Sequence, residues 1–265
     1  MTVTYSSNGT AYEVTGIPDG PVVVLVHGLG LNRHTWDDHL PILNQSFRVL
    51  NVDLFGHGDS TPPPETPSLS LFAQQLKSLI DELSIDRCAI AGFSLGGMIN
   101  RRFAMDYPNS VAALVILNSP HERGVEAQKL VEERVADTAK GGPEANIDTT
   151  LARWFTEEYR NTQTDIVNKI RQWVISNDPV SYAQCRQVLA KGVIELVRPN
   201  PPIRLPTLVI TCENDSGSTP AMTFGIASEI YNAETLIVPH LKHMGLVERP
   251  LDFVNPTIKF LKQHL

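Results

Sequence analysis

The sequence predicts an α/β protein: a mostly parallel sheet of eight strands, flanked by helices and interrupted by an inserted helical block. Three observations predict it. Between residues 22 and 117, short continuous apolar runs alternate with segments of helical periodicity, the pattern of a parallel sheet buried on both faces. The alternation stops over residues 121–204, where only helical segments are found. It resumes after Pro199-Asn200-Pro201-Pro202 and continues to residue 265. The chain therefore divides into a core of residues 1–120 and 205–265 and an insertion of residues 121–204, most simply a cap over the sheet.

Each element has its own signal. Residues 3–6 and 12–15 alternate enough to be edge strands, joined by the hairpin signal Asn8-Gly9. Pro21 opens Val22-Val23-Val24-Leu25-Val26, which ends in His27-Gly28-Leu29-Gly30. Asn32 can cap a helix running to about Leu43, and residues 47–52 form the next strand, ending at Asp53. Residues 61–67 contain Pro62, Pro63 and Pro64 in succession and must be loop. Ser68 caps an amphipathic helix whose Leu69, Phe72, Leu76, Leu79, Ile80 and Leu83 share one face, and these are core residues. Residues 87–91 form a strand, the helix after it stops at Tyr107-Pro108, and residues 111–117 form another strand. Within the insertion, residues 122–139, 148–155, 165–176 and 180–191 read as helices, separated by Gly141-Gly142-Pro143 and Asn177-Asp178-Pro179. The last part gives strands at 207–212 and 234–238 and helices at 220–231 and 251–265.

Bulk properties narrow the function. With 42% hydrophobic and 19% charged residues over 265 positions, the chain can build a sizeable core and is not disordered. A formal net charge of −7 argues against nucleic acid or an anionic membrane as partner. Residues 1–8 show no basic region followed by an apolar run, and no stretch approaches a membrane span. Cys88, Cys185 and Cys212 lie too far apart for metal-ligand spacing or a disulfide framework. The expectation is a cytoplasmic protein without metal or organic cofactor, its cysteines serving as small buried hydrophobes.

The chemistry centres on Gly92-Phe93-Ser94-Leu95-Gly96-Gly97, where a short apolar strand turns through Ser94 into a helix. The pattern Gly-x-Ser-x-Gly arises by chance in roughly one chain in ten of this length, so its context must carry the reading. A serine at the apex of such a turn has a strained backbone, and Gly92 and Gly96 let strand and helix approach where a Cβ would clash. The helix opening at Leu95 brings free N–H groups and a partial positive charge to the same place. A serine hydroxyl needs a base, and the base needs an anion to fix its tautomer. Asp215 follows the strand at 207–212, and His243 follows the strand at 234–238, giving the chain order Ser, Asp, His that goes with this motif. Glu213 and His240 are alternatives beside each of them.

With His27-Gly28-Leu29-Gly30, Gly56-His57-Gly58-Asp59-Ser60, the Ser94 motif, Asp215, and His243 followed by Glu248 and Pro250, the chain resembles the α/β-hydrolases of the capped esterase and lactonase type over nearly its whole length. The resemblance implies an oxyanion hole formed by the backbone N–H groups of Leu29 and Leu95. It favours His243 over His240 through the spacing to Glu248 and Pro250. His57 and Asp59 read as turn stabilisers, and His27 as shaping its loop.

The resemblance implies hydrolysis of a small carboxylic ester or lactone through an acyl-enzyme. Residues 151–160 and 178–185 are similar to the cap of 3-oxoadipate enol-lactonases, whose anionic lactone would want a cation, and Arg123 or Arg153 could supply one. The alternative for both arginines is an ordinary place on a helical surface. Phe93, Trp154 and Trp36 are further pocket candidates, Trp36 being equally readable as core. Perhydrolases and C–C bond hydrolases share the framework, although Met244 stands where the latter typically carry tryptophan. A small-ligand receptor with slow turnover is the reading from another class.

Overall fold

The computed structural model describes residues 3–265. β1 (Thr4–Tyr5) and β2 (Ala11–Gly16) form the antiparallel edge, with Gly9 at φ +82° in the turn between them. β3 (Val22–Val26), β4 (Arg48–Val52), β5 (Cys88–Phe93), β6 (Val111–Leu117), β7 (Thr207–Cys212) and β8 (Glu234–Val238) complete an eight-stranded sheet in the order β1-β2-β4-β3-β5-β6-β7-β8. All pairings from β4 to β8 are parallel, while β2 meets β4 antiparallel. Every residue of β5, β6 and β7 is buried, as their unbroken apolar runs require.

Helices α1 (Leu40–Leu43), α2 (Leu69–Glu82) and α3 (Leu95–Asp106) alternate with the first strands. Between β6 and β7 come α4 (Val125–Gly141), α5 (Ile147–Trp154), α6 (Glu157–Thr162), α7 (Thr164–Ile175) and α8 (Pro179–Lys191). α9 (Pro220–Ser228) precedes β8, and α10 (Gly245–Glu248) and α11 (Leu251–His264) follow it.

The helix expected from residue 33 to about Leu43 is broken. Asn32 caps as anticipated, its side chain accepting from His34 N–H, but the turn is a 3-10 helix of Arg33–Trp36. α1 begins separately at Leu40 with Pro41 in its first turn. Pro41 has no N–H to donate back to the carbonyl of residue 37, and proline suits the first turn of a helix, so the chain restarts there. The helix expected from 122 begins at Val125, after an extended Gly124, and α6 was not anticipated.

Two features position the site. The chain order reverses around β3, whose neighbours are β4 and β5, and a crevice opens beyond the carboxyl ends of the strands at such a point. Val26 pairs with Gly92, so the loop after β3 and the turn after β5 leave the sheet side by side. Beneath them the buried Asp53 carboxylate fixes the ends of β3 and β4. It accepts from Arg33 N–H at 2.6 Å, from Asp59 N–H at 2.9 Å and from the Arg33 guanidinium, which also reaches Asp59 at 2.8 Å. Without Asp53 the buried Arg33 would keep, among the described residues, only Asp59 and Glu13 as partners, and breaking a buried pair costs at most about 3–5 kcal/mol. Asp53→Ala should therefore lose stability of that order, measured as a lower urea midpoint at unchanged m-value.

Candidate active site

Ser94 sits between the last residue of β5 and the first of α3 with φ 55° and ψ −110°, a conformation that L-residues rarely adopt. The expected close approach is present: a Cβ added to Gly92 would lie 2.1 Å from Gly96 O, and one added to Gly96 would lie 2.3 Å from Val26 O. Ser94 N–H donates to Leu117 O at 2.8 Å, which ties the turn to β6.

Asp215 and His243 are brought together at the ends of β7 and β8. His243 Nδ1–H donates to Asp215 Oδ2 at 2.6 Å, leaving Nε2 free for another partner. The same Oδ2 accepts from Asn118 Nδ2 at 2.9 Å, and Oδ1 accepts from Gly217 N–H at 2.8 Å and Ser218 N–H at 3.0 Å. Asp215 is only 3% exposed, and burial by itself raises its carboxyl pKa. The His243 charge and the hydrogen bonds from His243, Asn118 and Ser218 outweigh that and hold it below the usual carboxylate value. Glu213 and His240 pair elsewhere: Glu213 Oε2 accepts from His240 N–H at 2.8 Å, and the His240 side chain is 85% exposed. Asn118 was missed from the sequence. Its signal is there, a polar residue closing the apolar run 111–117, and its φ of 45° marks a strained strand end.

The loop after β3 supplies backbone donors. Among the described residues, neither Leu29 N–H nor Leu95 N–H has a hydrogen-bond partner, and Leu95 is the first residue of α3, where N–H groups are unspent. His27 holds this loop. Leu54 N–H donates to its Nε2 at 3.0 Å, and its Nδ1–H donates to Gly28 O at 2.7 Å, so both contacts require the neutral ring. Burial lowers the His27 pKa to about 4, and burial, then the His27 charge, lowers that of neighbouring His57 to about 3. His57 Nδ1 bonds Phe55 O at 3.1 Å, and Asp59 meets Arg33, so both serve their turn.

One cavity, partly open to solvent, is lined by Ser94, His243, Asp215, Leu29 and Phe93, and from the helical block by Trp154. The His243 ring lies 4.9 Å from Phe93 and 6.0 Å from Trp154, centroid to centroid. Trp36 does not line it. It is 1% exposed, edge-on to His39 at 5.4 Å, and belongs to the core because the 3-10 turn points it inward.

The cavity wall carries Arg123 and Arg153, as anticipated, and also Arg134 and Arg186, which were not. Arg134 and Arg186 lie on α4 and α8, where a charged residue reads as a solvated face; yet Arg186 is only 9% exposed. Burial lowers the pKa of Arg123 to about 10. Burial, then the charges of Arg134 and Arg186, lower that of Arg153 to about 10 against the pull of Asp215.

Known proteins share this architecture. The family described as alpha/beta hydrolase fold matches residues 21–250. The chain is 26% identical over 250 residues to an (E)-2-((N-methylformamido)methylene)succinate hydrolase of Acinetobacter baylyi, covering 94% of this chain and 93% of that one. It is 26% identical to 3-oxoadipate enol-lactonase 2 of the same organism, covering 99% and 96%. The crystal structure of the enol-lactonase from Burkholderia xenovorans superposes with a TM-score of 0.90 at 26% identity, covering 98% of this chain and all of that one.

The buried histidines set an acid response. Burial holds His27, His39 and His57 below their ordinary value of 6.5, so between pH 6.5 and about 4 the unfolded chain binds protons that the folded chain does not. Stability therefore falls as pH falls through that window. His34, raised by its hydrogen bond to Asp37, acts in the opposite sense from a more exposed position. Calorimetric melting temperatures should decline from pH 7 to pH 4.5, and His57→Asn should flatten the decline.

Proposed function

This chain belongs to the alpha/beta hydrolase fold family, and from that premise we propose that it is a serine hydrolase cleaving a small carboxylic ester or lactone through an acyl-enzyme. The observation that carries the reading is the Asp215–His243 hydrogen bond in the cavity that Ser94 also lines. Ser94 Oγ attacks the scissile carbonyl and His243 Nε2 takes its proton. Asp215 keeps the histidine proton on Nδ1 and stabilises the imidazolium that forms. The tetrahedral oxyanion is met by Leu29 N–H and Leu95 N–H, donors that no group among the described residues uses. The imidazolium then protonates the leaving oxygen, and water activated by His243 hydrolyses the acyl-enzyme. For a lactone the same acyl C–O bond breaks in the first step, but the leaving oxygen remains tethered through the carbon chain and is kept in the single product acid released by the second.

In this reading residues 121–204 are a cap over a core of residues 1–120 and 205–265. The cap is fastened to the catalytic loop itself. Met244 N–H donates to Trp154 O at 2.8 Å, Lys242 Nζ donates to Ala152 O at 2.8 Å, and Thr156 donates to Glu248 through its N–H and hydroxyl at 2.8 and 2.7 Å. Arg153 lies inside that clamped segment, so a carboxylate on the substrate can be gripped close to the base. Likeness to enol-lactonases supports a substrate of this kind. Three buried, free cysteines fit a reducing compartment such as the cytoplasm, and among the described residues no helix is long and apolar enough to cross a membrane.

Turnover of short p-nitrophenyl esters and lactones tests the mechanism. Ser94→Ala and His243→Ala should each lower kcat by up to about 10⁶-fold. Asp215→Asn should lower it by about 10⁴-fold, through loss of the correct tautomer. His240→Ala should retain wild-type kcat, and loss of activity there with retention in His243→Ala would overturn the assignment of the base.

A further inference from the structure

The chain carries 29 acidic and 22 basic residues, so carboxylates are not scarce. Arg33, Arg102, Arg171, Arg198 and Arg249 each meet one. The cavity wall does the reverse. It gathers Arg123, Arg134, Arg153 and Arg186 from four separate segments around a single carboxylate, Asp215, whose oxygens are already taken by His243, Asn118 and two backbone N–H groups. Among the described residues none of the four arginines forms an ion pair.

Their hydrogen bonds are also incomplete. Arg123 donates to the carbonyls of Leu189 and Ala190 at 3.4 and 3.3 Å, and Arg186 to the Tyr182 hydroxyl at 3.1 Å. Arg134 and Arg153 donate to no group among the described residues. Each guanidinium has five N–H donors in a rigid fork that matches an oxyanion bidentately. Partly buried cations crowded together are unfavourable unless an anion joins them. One carboxylate engages one fork well and leaves the rest of the cluster uncompensated.

We infer that the part of the substrate remote from the scissile carbonyl carries two negative charges, as two carboxylates or one phosphate, held by Arg134 and Arg153 with Arg123 and Arg186 alongside. The inference rests on the hydrolase reading above and names the substrate class of that site. Arg153 is the arginine nearest the catalytic end, since its guanidinium comes within 3.8 Å of the position a Cβ on Gly217 would take, in the loop that follows Asp215. The doubly charged group therefore occupies the wall formed by the helical block while the carbonyl reaches Ser94.

Direct binding separates this inference from the catalytic one, because it does not depend on turnover. Calorimetric titration of the wild-type protein at pH 8 and constant ionic strength would compare butyrate, glutarate and inorganic phosphate. Glutarate binding at least ten-fold tighter than butyrate supports two carboxylates, and the same advantage for phosphate supports one phosphate group. Equal affinities for all three, or no binding of any, overturns the inference, whatever the Ser94→Ala variant does to ester hydrolysis. Arg134→Gln and Arg153→Gln should each reduce the advantage of the dianion to about three-fold or less. An advantage left intact in either variant that melts like the wild type would place the dianion elsewhere and overturn the assignment. The wild-type series decides the charge preference even if both variants fail to fold.

Discussion

Strand β5 and helix α3 meet at a separation that no side chain can occupy, and the rest of the site follows from that contact. With Gly92 against the Gly96 carbonyl and Gly96 against Val26, the chain has room to reverse at one residue only, and Ser94 takes the strained backbone that the reversal demands. Strain of this kind costs about 1–3 kcal/mol and persists only where the surroundings over-determine it. Here they do. Leu95, Met98, Ile99 and Phe103 are fully buried along the helix, and Leu117 O holds the Ser94 N–H. The reversal leaves the serine at the mouth of the crevice with the first N–H of α3 unspent beside it.

Two buried carboxylates divide the remaining labour, and their partners explain the division. Asp53 is bonded to a permanent cation, Arg33. Among the described residues, Asp215 is bonded to neutral amides and to the imidazole of His243. The first arrangement locks the loops after β3 and β4. In the proposed mechanism the second supplies a carboxylate whose stabilising effect grows when the histidine takes up a proton, the response needed of an orienting anion in acyl transfer. His27 joins the two regions as a neutral ring between Leu54 and Gly28, so the loop that offers Leu29 N–H is anchored to the end of β4.

Most of the fold was legible because local signals and the global pattern agree. The runs 111–117, 207–212 and 234–238 are strands with the bounds that their apolar residues and flanking breakers dictate. The failures have physical causes. Pro41 splits the helix read from residue 33, and α6, six residues long, is too short for helical periodicity to register. In the candidate site, the convergence of Ser94, Asp215 and His243 on one cavity could be read because each follows a strand, in the chain order that accompanies this motif. Asn118, Arg134 and Arg186 could not, since their importance lies in convergence: residues 118 and 215, or 134, 153 and 186, meet only in three dimensions. Trp36 shows the converse, an aromatic near the site in sequence that the turn carries into the core.

The charge pattern gives the cavity a particular kind of selectivity. A protein of net charge −7 does not attract anions from a distance, and at physiological ionic strength its field fades within about 8 Å. The arginines therefore act on a ligand only after it has entered, where low-dielectric walls strengthen each charge and water competes less. Such an arrangement does little for the rate of encounter and much for discrimination once inside. A neutral ester entering the cavity leaves the guanidinium cluster uncompensated, whereas an anion relieves both the burial and the mutual repulsion of Arg134, Arg153 and Arg186. Because Ala152 and Trp154, the neighbours of Arg153, are hydrogen-bonded to the loop carrying His243, that relief is delivered beside the proposed base. In the proposed reading, recognition and chemistry thus share one hydrogen-bonded segment, and the binding energy of a remote anion is available to fix the geometry at the reacting carbonyl.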